Sequence, residues 1–153
     1  MPNITGAQRS RQSSFGFLMN LLQRRVDAKM KLRLAGIGID VRTFAILRML
    51  DENEGIKQKD LGKIFEFPEY YTSRNVDALV DAGLVERKPD PNSRRSVQIY
   101  LTDAGQERVE QLPKIVSSVN SEFLGTLTTE ERKTLIKLLR KVAGIPDEGD
   151  PDL

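Results

Sequence analysis

The sequence predicts a mainly α-helical chain with one small β-hairpin. Three observations lead there. Apolar residues recur at helical spacing from about Ser14 to Gly83 and again from Thr102 to Val142. Between Leu84 and Leu101 the period drops to strand-like alternation. Inside that interval sits Pro89-Asp90-Pro91-Asn92-Ser93-Arg94-Arg95, rich in turn formers and in base. At 153 residues the chain is read as one domain with helical extensions.

Composition narrows the function classes. The chain is 39% hydrophobic and 30% charged, enough apolar residue for a core under a well-solvated surface. It contains no cysteine and no histidine, which removes disulfides, Cys/His zinc sites and Cys- or His-based nucleophiles. No cofactor is expected. Gly36-x-Gly38 follows a helix rather than a strand, so it is no dinucleotide fingerprint, and no enzyme activity is expected. No apolar run reaches a membrane span, and Phe15 to Leu22 has no basic run directly before it. The expectation is a cytoplasmic protein with no membrane partner. Net charge is +2, distributed as +5 over residues 1–40, −1 over 41–105 and −2 over 106–153. A nucleic-acid reading must therefore rest on local placement of charge.

Taken in order, residues 1–13 are polar and read as a mobile arm. Ser13 or Ser14 caps a first helix carrying Leu18, Leu21, Leu22, Val26 and Met30, stopped by Gly36 and Gly38. Asp40 caps a second, with Phe44, Ile46, Leu47 and Leu50. Ile56 is a strand stub, and Gln58 to Phe65 a short third helix. Pro68 suits the first turn of a fourth helix that Gly83 ends. Leu84–Lys88 and Ser96–Leu101 are the hairpin strands. Thr102 caps a fifth helix that Pro113 should kink. Thr128 and Glu131 form a capping box opening the sixth, and Gly144 and Pro146 stop it before an acidic tail at 145–153.

The order helix, helix, helix, basic hairpin is that of a winged helix-turn-helix, here spanning 36–105. Long helices at 14–35 and 106–144 flank it, and their apolar stripes suit a homodimer interface. At ~100° per residue the fourth helix turns Thr72, Val76, Leu79 and Val80 to the core and Tyr71, Arg74 and Ala78 away from it. Arg74 can fork onto guanine and Asn75 onto adenine, and Tyr70 and Tyr71 can touch thymine methyls or phosphates. Ser73 completes this candidate reading face. Arg87, Lys88, Arg94 and Arg95 make the wing a candidate for phosphates or a minor groove. Lys57 and Lys59 are candidates for the DNA backbone. The expected partner is double-stranded DNA. The competing expectation is a winged helix that binds protein without sequence-specific DNA binding, which the near-neutral 41–105 segment favours.

The chain resembles the MarR (multiple antibiotic resistance regulator) family. The resemblance is carried by Ile56 to Leu61, Thr72 to Val85, Arg87, Asp90-Pro91, Arg94-Arg95 and Leu101-Thr102-Asp103-Ala104-Gly105. It implies an obligate dimer, palindromic operators, and release by small aromatic acids. Arg95 matches the wing arginine that enters the minor groove, and Arg74 a recognition-helix arginine. A ligand crevice is implied near Leu18, Leu22, Arg25, Phe44 and Arg48. Two positions depart from the family. Ser93 stands where the family has an Asp that orients the wing arginine, so that ion pair is missing unless Asp90 substitutes. Pro68 replaces the usual polar cap of the reader helix.

Overall fold

The computed structural model describes residues 4–146. The expected acidic tail from 147 onward, and residues 1–3 of the expected arm, lie outside them. The chain divides into two compact units between Val116 and Ser117.

The first unit opens with α1 (Gly6–Gln12), where the sequence reading placed only a polar arm. Its cause is local: Thr5 Oγ1 accepts from Gln8 N at 3.2 Å while Thr5 N donates to Gln8 Oε1 at 2.7 Å, a reciprocal cap. No residue of α1 is buried, so no apolar stripe signalled it. Next comes α2 (Phe15–Ala35), which buries only Met30 and Leu34, near its C-terminal end. Then α3 (Val41–Glu52) starts where Asp40 Oδ1 accepts from Arg42 N at 2.8 Å, and it buries Thr43, Ile46, Leu47 and Leu50.

A two-residue strand, β1 (Ile56–Lys57), leads into α4 (Gln58–Ile64) and, across a tight turn, α5 (Glu69–Asp81). Glu66 makes that turn at φ 53°, and Phe67 N donates back to Gly62 O at 2.9 Å. Gly83, at φ 72°, ends the α5 segment in the left-handed region that a side chain disfavours. The hairpin follows as β2 (Val85–Asp90) and β3 (Ser93–Leu101). The antiparallel sheet has the order β1-β3-β2, with Ile56 opposite Ile99 and Val85 opposite Leu101. Helix α6 (Asp103–Val109) closes the winged domain.

Leu34, Ile46, Leu47, Leu50, Leu61, Val76 and Ile99 are fully buried and form the centre of this unit. Each contributes about 2 kcal/mol by leaving water. The Leu101–Gly105 run joins sheet to helix at close quarters. Thr102 Oγ1 donates to Gly83 O at 2.6 Å and accepts from Gly105 N at 3.0 Å, while Thr102 N donates to Leu84 O. A Cβ at Gly105 would collide with the Leu84 carbonyl oxygen, so this crossing needs glycine.

The expected kinked fifth helix is two helices. α6 ends at Val109, and α7 (Leu112–Leu124) begins afresh, running across the boundary between the units. Pro113 falls in the first turn of α7, where its missing N–H costs nothing, instead of kinking a continuous helix. In the second unit, α8 (Thr129–Val142) starts with the expected Thr128–Glu131 capping box and buries none of its residues. Its Leu138 and Val142 are 56% and 68% exposed. No helix among the described residues is long and apolar enough to cross a membrane.

Candidate nucleic-acid interface

Helix α5 is amphipathic as expected, but its faces differ from the sequence reading at two positions: Val80, expected in the core, is exposed, and one expected reader is buried. Thr72, Asn75, Val76 and Leu79 are the buried set. Asn75 lies only ~60° from Thr72 around the helix, inside the core-facing arc. It is 6% exposed, and its Nδ2 has no hydrogen-bond partner. From there it cannot fork onto adenine, so it leaves the set of candidate readers. Tyr70 and Arg74 are exposed and Ser73 half-buried. Tyr71 is half-buried too, packing edge-on against Phe67 at 4.9 Å, while Phe67 stacks on Phe65 at 5.3 Å. This aromatic run braces the turn between α4 and α5, in place of the polar cap that Pro68 cannot supply.

The wing departs from the expected loop in a specific way. Its turn is only Pro91-Asn92, because Asp90 already pairs with Ser93. The next pair is Pro89 with Val97, so Arg94, Arg95 and Ser96 have no ladder partners on β2. They form a bulge in β3, and both arginines are exposed there. Neither side chain has a hydrogen bond or ion pair among the described residues. The same is true of Arg74 and Lys59.

The other wing cations are already engaged. Arg87 Nη1 lies 2.6 Å from Asp77 Oδ1, Nε donates to Gln58 Oε1 at 3.0 Å, and Nη2 donates to Ser73 O at 3.4 Å. It ties β2 to α4 and to α5, so Arg87, expected as a DNA-contacting wing residue, has its guanidinium engaged within the fold. Gln58 and Asp77 were missed by sequence reasoning, since only the fold brings them to Arg87. Lys88 pairs with Glu86 at 2.8 Å and lies 4.5 Å from the centre of the Tyr100 ring. The Glu86 carboxylate raises the Lys88 pKa.

Asp90 does not substitute for the missing wing Asp. Its side chain is fully buried, with Oδ2 2.8 Å from Lys57 Nζ and Oδ1 accepting from Asn92 N at 2.9 Å. The Lys57 ammonium, then the Asn92 N–H, hold its carboxyl below the ordinary carboxylate value. Asp90 in turn raises the Lys57 pKa. Lys57 is thus occupied within the fold, while Lys59 is exposed. Lys57, Lys59, Glu69 and Arg95 all line one cleft of about 190 Å³, so the fold brings α4, α5 and the wing bulge together.

The residues assigned to a ligand crevice lie on α2 and α3. Leu18, Leu22 and Arg25 are exposed on α2, and Phe44 is half-buried on α3. Arg48 is exposed and lies 3.9 Å from Glu52. No group of three or more acidic residues able to hold a metal ion occurs among the described residues.

A helix-turn-helix followed by a wing, with Arg74, Arg94 and Arg95 exposed on them, is a winged helix-turn-helix suited to a polyanion. Comparison with known proteins agrees. The family model "MarR family" matches residues 37–96. The multiple antibiotic resistance protein MarR of Escherichia coli is 30% identical over 128 residues, covering 83% of this chain and 89% of that protein. The HTH-type transcriptional regulator YdgJ of Bacillus subtilis is 30% identical over 105 residues, covering 69% of this chain and 64% of YdgJ. This chain thus spans less than two thirds of YdgJ's length. A crystal structure of a mutant Escherichia coli MarR complexed with operator DNA superposes with a TM-score of 0.78 at 30% identity, covering 83% of this chain and 91% of that one. The chain belongs to the MarR family of transcriptional regulators.

Proposed function

We propose that this protein is a dimeric regulator that binds a pseudo-palindromic DNA operator, with α5 in the major groove and the wing bulge against the neighbouring minor groove or phosphates. The observation that carries this reading is the division of the cations. Arg87, Lys57 and Lys88 are held by carboxylates, while the side chains of Arg74, Lys59, Arg94 and Arg95 are left without partners among the described residues. Charges kept free on a rigid frame are what a polyanion needs. Tyr70 and Ser73 join Arg74 as base or phosphate contacts. A relative of the same fold has been crystallised with operator DNA, which supports DNA as the partner. On this reading the chain works by binding rather than by turnover, in the cytoplasm.

Each unit offers an exposed apolar stripe to a second copy: Phe15, Leu18, Met19 and Leu22 on α2, and Leu138 and Val142 on α8. Two-fold symmetry would set the reader helices one DNA turn apart, ~10 bp. Release by a small aromatic acid rests on family membership, and a thermal-shift screen of phenolic acids tests it.

Selection of bound duplexes from a random pool at ~150 mM salt tests the main reading, since affinity depends steeply on salt. An enriched two-fold palindrome is expected. No enrichment there or at lower salt would sink the DNA reading in favour of a protein-binding winged helix.

A further inference from the structure

We propose that Lys57 and Asp90 form a staple that fixes the position of the wing bulge, making Lys57 a positioning residue for Arg94 and Arg95 and not a phosphate contact. The inference rests on the DNA-binding reading and adds to it the element that aims the wing.

The bulge has little to hold it besides one internal bond, in which Ser96 Oγ donates to Ser93 Oγ at 3.1 Å. Arg94, Arg95 and Ser96 have no ladder partners on β2, so its ends fix its shape. One end is the Pro89–Val97 pair. The other is Asp90–Ser93 at the turn. Asp90 therefore sits where the shape of the bulge is decided.

The two carboxylate oxygens of Asp90 have separate tasks. Oδ1 holds the Asn92 N–H at 2.9 Å and closes the turn. Oδ2 meets Lys57 Nζ at 2.8 Å. Lys57 lies on β1, opposite Gln98, on the far side of β3 from β2. The ion pair thus reaches past β3 and joins the two outer strands around the one that carries the bulge. A buried carboxylate without its cation is strongly disfavoured, so the pair holds as a unit. With its charge already balanced by that carboxylate, Lys57 has less to offer a phosphate than the unpaired cations have. Ser93 supplies no charge to orient Arg95, and the staple orients the bulge from its base instead.

The two roles make opposite predictions for Asp90→Asn. A phosphate-contacting Lys57 would be freed by that change, and binding would hold or tighten. A staple would be broken, and binding would weaken. The probe is the palindromic duplex recovered by the selection described above. Asp90→Asn and Lys57→Met should each weaken binding about tenfold, the double variant should be no worse than either, and Lys57→Arg should bind as the parent does. Hydrogen exchange on the free protein gives an independent readout. Lys57→Met should speed exchange at the Asn92 amide while amides of the core strand around Ile99 stay protected. An Asp90→Asn protein that stays folded and binds as tightly as the parent overturns the proposal, as does unchanged exchange at Asn92 in Lys57→Met. If the parent enriches no duplex, the DNA reading fails, and exchange at Asn92 still decides the staple.

Discussion

Asn75 shows how narrow the margin is between a reader and a core residue on a short helix. It neighbours Arg74, yet one step of ~100° carries it from the outer face into the core. Its Nδ2 is buried without a partner there, a state that costs stability. Asn75→Leu should therefore raise stability by about 1 kcal/mol and leave DNA affinity unchanged. Urea unfolding at fixed protein concentration measures the first, as a higher midpoint at unchanged slope, and titration of the selected duplex measures the second. A loss of affinity in that variant would return Asn75 to the reading face. Asp90 makes a different prediction, in pH. Its carboxyl pKa is lowered by folding, so its stabilisation is present above the ordinary carboxylate value and fades as pH falls through the folded value. Lys57, whose pKa is raised, adds stabilisation present below its ordinary value and lost at higher pH as pH rises through the folded one. Stability profiles of the parent and Asp90→Asn should therefore be furthest apart near neutrality and converge below about pH 4. Parallel profiles through that range would mean that the pair does not form in solution.

Elements were legible in the sequence where a side chain both signals and makes the boundary. Asp40 and Thr128 cap their helices as read, because a cap is a local hydrogen bond between residues two or three apart. Gly83 stops the reader helix for an equally local reason. The elements missed, α1 and the break between α6 and α7, lacked the usual marks. One buries nothing, and the other turns on a proline that is as comfortable opening a helix as it is disruptive inside one. The bulge was illegible because register depends on both strands together. Arg94 and Arg95 were found as a basic pair, but their loss of ladder partners could not be. The Leu101–Gly105 junction offers the sharpest test at this scale. Gly105→Ala should destabilise by about 2–3 kcal/mol, because the new methyl meets backbone and not a side chain that can turn aside. Thermal unfolding checks this, and a variant within 0.5 kcal/mol of the parent, roughly the noise of a neutral surface change, would show that the junction can relax.

At the scale of the whole molecule, the residues that hold the wing and those that would touch DNA come from the same pool of cations. Sequence could count that pool but not divide it, since the partners of Arg87 and Lys57 come from other elements. The two exposed apolar stripes make the clearest prediction of assembly. Leu138→Glu combined with Val142→Glu puts two carboxylates on the face of α8 that would meet a second copy. Sedimentation should show a dimer for the parent and monomer for the double variant, with operator binding lost along with dimerisation. A parent that sediments as a monomer at micromolar concentration would remove the symmetric-operator reading.

The small sheet also bears on solubility. An antiparallel sheet with free edges is a template on which other chains can add strands. Here one edge, β1, is two residues long. The other, β2, alternates Glu86, Arg87 and Lys88 and then reaches Pro89, which has no N–H to offer a newcomer. The proline at the root of the wing thus caps the open margin of the sheet, so that a projecting hairpin can stand clear of the core without recruiting its neighbours into a fibre.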